Sequence, residues 1–149
     1  MKALIRHLKL TALAVAIVTA LAVPATGSAA TTASVRDCTV DTYTPFITWI
    51  NNVKYVQANE YVHCSVSRSG TLSMRLMEDD AWPNPDDLIR STNVYFTIEA
   101  GTTERFSIRG ACNWWDGVGN LSEPYATGQL SIDYYTSSQA RSPDLSAYC

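Results

Sequence analysis

Histidine limits the chemistry open to this chain, since His7 and His63 are the only imidazoles among its 149 residues. His7 falls in an N-terminal segment read below as a cleaved leader, which leaves His63 alone. One imidazole cannot build a histidine-rich zinc site. A Ser-His-Asp device remains possible by count, but no G-x-S-x-G elbow occurs in the sequence. His63 directly precedes Cys64 in strand-like sequence, so the two side chains face opposite sides, and a surface strand histidine is expected.

Carboxylates offer a second chemistry. Glu78, Asp79, Asp80, Asp86 and Asp87 gather around Trp82, and an acidic pair beside an aromatic platform is what a glycosidase uses for acid/base work and sugar stacking. Asp79, Asp80, Asp86 and Asp87 could equally hold a cation, although their spacing does not match an EF-hand loop. The plainer expectation is that they keep a loop solvated and favour the start of a short helix. No catalytic residue is assigned, and neither metal nor cofactor is called for.

Binding is the stronger reading. Trp114 and Trp115 follow Cys112 almost immediately, so a disulfide would pin two aromatics at the root of a long loop; an exposed tryptophan there could fill a protein pocket or stack on carbohydrate. The extended stretch before Cys38, residues 31–37, carries Val35 and Arg36 near its end. Such a segment can add a strand to a partner, and Arg36 could also be offered to a trypsin-like cleft.

These residues need a compartment and a scaffold. Lys2, Arg6 and Lys9 precede an apolar run over residues 10–23, followed by Pro24 and the small residues Gly27, Ser28, Ala29 and Ala30; this is the pattern of a secretory signal peptide. As a helix the run would rise about 21 Å, short of the roughly 30 Å hydrocarbon core. The expected division is therefore a leader over 1–30, a flexible tail over 31–37 and one β domain over 38–149. Secretion places Cys38, Cys64, Cys112 and Cys149 where they can pair. Four cysteines allow three pairings, of which Cys38 with Cys64 and Cys112 with Cys149 is favoured because each closes a modest loop. Cleavage removes three cations and no acid, which moves the net charge from −3 to −6. That balance excludes nucleic acid and an anionic membrane as partners, and permits a basic protein.

Apolar residues in the mature chain recur with period two: Leu72, Met74 and Leu76; Val94, Phe96 and Ile98; Phe106 and Ile108. Segments 47–50, 53–56, 61–66 and 130–135 read similarly. Turns are expected at Asn51 and Asn52, at Ser69 and Gly70, and at Ala100 and Gly101. Asn84, Pro85, Asp86 and Asp87 before Leu88 and Ile89 predict one short helical turn. Residues 113–128, broken by Gly117, Gly119, Pro124 and Gly128, predict the longest loop. The expected fold is all-β, an antiparallel immunoglobulin-like β-sandwich of about seven strands with two disulfides.

An Ala-rich leader, a compact four-cysteine β domain and the short tail from Thr31 to Arg36 together resemble the small secreted proteins of Streptomyces and its relatives, in particular the adaptor subunit of umbrella toxin particles. The resemblance implies a subunit that links a toxin-bearing spoke protein to a protease-like or lectin-bearing subunit, its N-terminal tail entering the partner's cleft. From residues and resemblance together, the chain is expected to be a secreted, extracellular, non-enzymatic module that binds another secreted protein. The alternatives are a small inhibitor of trypsin-like proteases, and a carbohydrate-binding module or small glycoside hydrolase.

Overall fold

Alternation of inward and outward side chains builds the whole described structure. A computed structural model describes residues 30–80, 85–112 and 123–147. The leader up to residue 29, Trp82, Asn84, Trp114, Trp115 and Cys149 lie outside the described residues.

The strands are β1 (Ala30–Val35), β2 (Cys38–Tyr43), β3 (Phe46–Ile50), β4 (Val53–Cys64), β5 (Arg68–Glu78), β6 (Asp87–Ile98), β7 (Thr102–Ala111), β8 (Pro124–Ile132), β9 (Tyr135–Thr136) and β10 (Ala140–Arg141). Among the described residues all the strand pairings are antiparallel. One sheet runs β1-β2-β4-β3, with β7 on the far side of β4; the other runs β10-β8-β5-β6, with β9 also on β8. β2 and β3 share one side of β4, pairing with its residues 60–64 and 53–57 in turn. Between them stands Pro45, which has no N–H to give a ladder.

Val40, Val56, Val62, Ile108 and Cys64 from the first sheet and Leu72, Met74, Leu76, Phe96, Ile98, Leu130 and Ile132 from the second form one buried core. The predicted period-two sets of β5, β6 and β7 thus point where expected. Cys38 stands opposite Cys64 in the β2–β4 ladder and is bonded to it, the Cα atoms 4.1 Å apart. This bridge lies within one sheet.

Several expectations are corrected. Residues 31–37 are no free tail: Thr31 to Val35 pair with β2 in a hairpin, and Ala33 is buried in the core. Segments 53–56 and 61–66 are one strand, β4, because Ala58 and Glu60 continue the inward face between them. Ser69 and Gly70 lie inside β5, the turn falling instead at residues 65–67. No helical turn forms at 85–89. Leu88 pairs with Met77, and half-buried Ile89 fills the bulge where the β5–β6 register shifts, so the ladder takes the hydrogen bonds a helix would need. Pro124 and Gly128 belong to β8, and the strand expected over 130–135 ends at Ile132. The turns at Asn51 and Asn52, φ 50° and 61°, and at Ala100 and Gly101 form as expected.

Candidate functional site

Four turns meet where β2, β5, β7 and β9 begin, around the Cys38–Cys64 bridge. The β1–β2 turn consists of Arg36 and Asp37; residues 65–67 join β4 to β5, residues 99–101 join β6 to β7, and Asp133 with Tyr134 joins β8 to β9. Backbone bonds tie them together: Ser65 N–H donates to Asp37 O at 2.8 Å and Gly101 N–H to Cys64 O at 2.8 Å. Ala100 N–H donates to Ser67 Oγ at 3.0 Å. Arg68 pairs with Asp37 and reaches Asp133 at 3.9 Å, joining turns from both sheets through one guanidinium.

On this base stand the side chains that face solvent. The Arg36 guanidinium lies 3.8 Å from the Tyr135 ring centroid, a cation–π stack. Tyr135 remains 55% exposed and Tyr134 is fully exposed at 108%. Tyr134 also holds φ at 68°, a left-handed conformation that costs an ordinary residue roughly 1–2 kcal/mol. The ring, fully exposed, buries nothing among the described residues to offset that cost.

Of the residues proposed for partner binding, Arg36 is therefore exposed and central, while Val35 is half-buried against the core. Residues 36 and 37 form a turn instead of ending a tail, and sequence pattern alone does not point to Tyr134 or Tyr135. The readable signal was Asp133, a turn-forming residue, at the end of an alternating strand.

The acidic residues collect at the opposite end. Arg141 donates to Asp79 at 2.7 Å and to Asp144 at 2.9 Å, and its guanidinium stacks 3.8 Å from the Tyr125 centroid. Tyr125 donates its hydroxyl to Asp86 at 2.5 Å. Burial first, and then this bond to a carboxylate, push the phenol up to about 12, so it stays a neutral donor. Asp79 and Asp86 are thus engaged as acceptors by Arg141 and Tyr125, and Asp87 opens β6 opposite Glu78. Among the described residues no three His, Cys, Asp or Glu side chains are grouped to hold a metal ion. His63 is half-exposed, its Nδ1 3.2 Å from Thr103 Oγ1 across the β4–β7 ladder.

Between the two ends lies a carboxyl group that the sequence reading passed over. Glu60 of β4 is fully buried, and among the described residues neither its carboxyl oxygens nor the facing Thr42 Oγ1 has a hydrogen-bond partner. Burial pushes its pKa up to about 8. Gly128 makes the space: a Cβ there would overlap Glu60 Oε2 and stand 2.7 Å from Thr42 Oγ1. Sealed in the core, Glu60 cannot touch a substrate, which a general acid must do.

The chain matches no protein-family model and no curated protein.

Proposed function

We propose that the protein is a secreted, non-enzymatic protein-binding module, an adaptor or structural subunit of an extracellular complex, and that it meets its partner through the disulfide end. The observation that carries this reading is Tyr134: a fully exposed aromatic held at positive φ, beside a second exposed tyrosine stacked on Arg36. Tyrosine and arginine dominate binding hot spots, and strained backbone concentrates at functional sites. Preorganisation adds to this, because a bridge and an ion-paired Arg68 already hold the turns in place.

Secretion rests on the leader over residues 1–30 and on the bridge, which persists in an oxidising compartment. The finer fold belongs to the same proposal: an immunoglobulin-like sandwich with a second disulfide, Cys112 with Cys149. Cys38 and Cys64 are taken by each other, which leaves Cys112 and Cys149 as the other pair among the four cysteines. The likeness to umbrella-particle adaptors is kept with one change. The segment that would enter a partner's cleft is strand β1, so Arg36 at its tip replaces the tail as the contact.

Recovery of the tagged full-length protein from the medium of its native host tests this. A stoichiometric protein partner is expected, and it should be lost from the Arg36→Ala/Tyr134→Ala double variant. Wild type recovered as a lone monomer would sink the adaptor reading. Inhibition of trypsin by the wild type, abolished in Arg36→Ala, would replace it with the inhibitor reading. The left-handed φ of 53° at Arg36 argues against that, since protease clefts take extended segments.

A further inference from the structure

The outer face of the β10-β8-β5-β6 sheet differs chemically from the rest of the surface. Its inward residues are Leu72, Met74 and Leu76, so Ser73 and Arg75 point out. Cross-strand register sets Asn93, Ser73 and Gln129 in one row and Ser91, Arg75 and Thr127 in the next. An open cavity of about 530 Å³ is lined by Asn93, Ser73, Gln129, Ser91 and Arg75 from these rows, together with Gln139. The outer face of the other sheet carries Asp41, Arg105 and Arg109; here the one charge lining the cavity is Arg75, and no carboxylate among the described residues pairs with it.

We propose that this cavity is a binding site for a neutral saccharide chain. Sugar hydroxyls donate and accept at once, and so do the Asn, Gln and Ser side chains that line the site. Two of the amides are already oriented: Gln139 Nε2 donates to Thr127 Oγ1 at 3.0 Å and Gln129 Nε2 to Ser137 O at 3.1 Å. Each thus turns its carbonyl oxygen into a fixed acceptor, which lowers the ordering cost of binding. Arg75 supplies a planar fork of donors that can span two adjacent hydroxyls.

Stacking would come from Tyr95, which lies outside the cavity lining but on the same face of β6, two residues from Asn93, and is 86% exposed. A ring so exposed amid polar side chains offers a flat apolar surface to the C–H face of a pyranose. Other ligand classes fit poorly. A hard cation needs carboxylates, a nucleic acid needs many cations, and an apolar molecule needs an apolar lining.

This site is separate from the disulfide end, and its test reads out separately. Isothermal titration of the full-length secreted protein would use cellohexaose, xylohexaose, chitohexaose and maltohexaose, with polygalacturonate as the acidic probe. At least one neutral hexasaccharide should bind with Kd at or below about 1 mM. Tyr95→Ala and Asn93→Ala should each weaken it by about tenfold or more. Tyr95→Phe should restore binding, and Arg36→Ala/Tyr134→Ala should leave it unchanged. Absence of neutral binding, binding of polygalacturonate alone, or binding that survives both alanine variants would overturn the proposal.

Discussion

The two ends of the molecule are held by different forces. At the disulfide end a covalent bridge, backbone bonds between turns and an ion-paired Arg68 fix four connections, and the fully exposed Tyr134 ring adds no buried packing. At the acidic end Arg141 holds Asp79, Asp144 and the Tyr125 ring, and Tyr125 holds Asp86. There Asp79, Asp86 and Asp144 are engaged in holding the fold. The lesson is that a site is recognised by groups the fold does not need, presented on a base it holds firmly. Of the acidic residues whose types suit acid/base chemistry, Asp79 and Asp86 serve in a clasp.

Glu60, midway between the ends, gives the largest expected effect and should move both alike. Below the ordinary glutamate pKa of 4.5 it is protonated whether the chain is folded or unfolded. From 4.5 to about 8 the folded protein keeps the proton and the unfolded chain loses it, so stability falls as pH rises and levels off above about 8. The full loss is on the order of 5 kcal/mol at about 1.4 kcal/mol per pH unit. Urea midpoints should therefore drop steeply between pH 5 and pH 8 in the wild type and far less in Glu60→Gln. Equal slopes in the two proteins would show that the carboxyl does not stay neutral in the core.

The next comparison separates the ends. Replacing both bridge cysteines in Cys38→Ser/Cys64→Ser should cost about 3.5 kcal/mol for a sequence separation of 26. Arg141→Ala should cost less, about 1–2 kcal/mol, from one cation–π stack and two part-exposed ion pairs. The second loss should shrink in about 0.5 M salt and the first should not. Hydrogen exchange should rise around residues 36–38 and 99–101 in one variant and around 124–127 and 141–144 in the other. Changes spread evenly over both ends would mean that the two are not independently braced.

How far the sequence could be read follows from what faces inward. β5, β6 and β7 are readable because runs of apolar residues dominate their inner faces: Leu72, Met74 and Leu76, Phe96 and Ile98, and Ile108. β4 was split in two because its inner face runs through Ala58 and Glu60, and a charged residue breaks an apolar period even when the strand continues. β1 read as a tail since Ala33 alone of its residues is buried, and its order comes from pairing with β2. The helical turn failed for the converse reason, local capping preference losing to the β5 ladder. At the site, Arg36 was found through its place beside a cysteine. Tyr134 was not, because tyrosine is a residue that turn chemistry argues against at positive φ, and such conflicts mark functional positions.

That conflict supplies the smallest effect and the sharpest one. Asparagine tolerates the left-handed region far better than tyrosine, so Tyr134→Asn should relieve backbone strain at φ 68°. With a fully exposed ring, nothing buried is lost. Stability should rise by about 0.5–1 kcal/mol, read as a higher urea midpoint with unchanged slope. If the exposed ring is kept for a partner, the same substitution should weaken partner recovery even as the protein becomes more stable. No ordinary structural role of Tyr134 makes stability and binding move in opposite directions. A variant that is less stable, or that retains its partner in full, would return Tyr134 to the status of a surface turn residue and leave Arg36 and Tyr135 to carry the disulfide end alone.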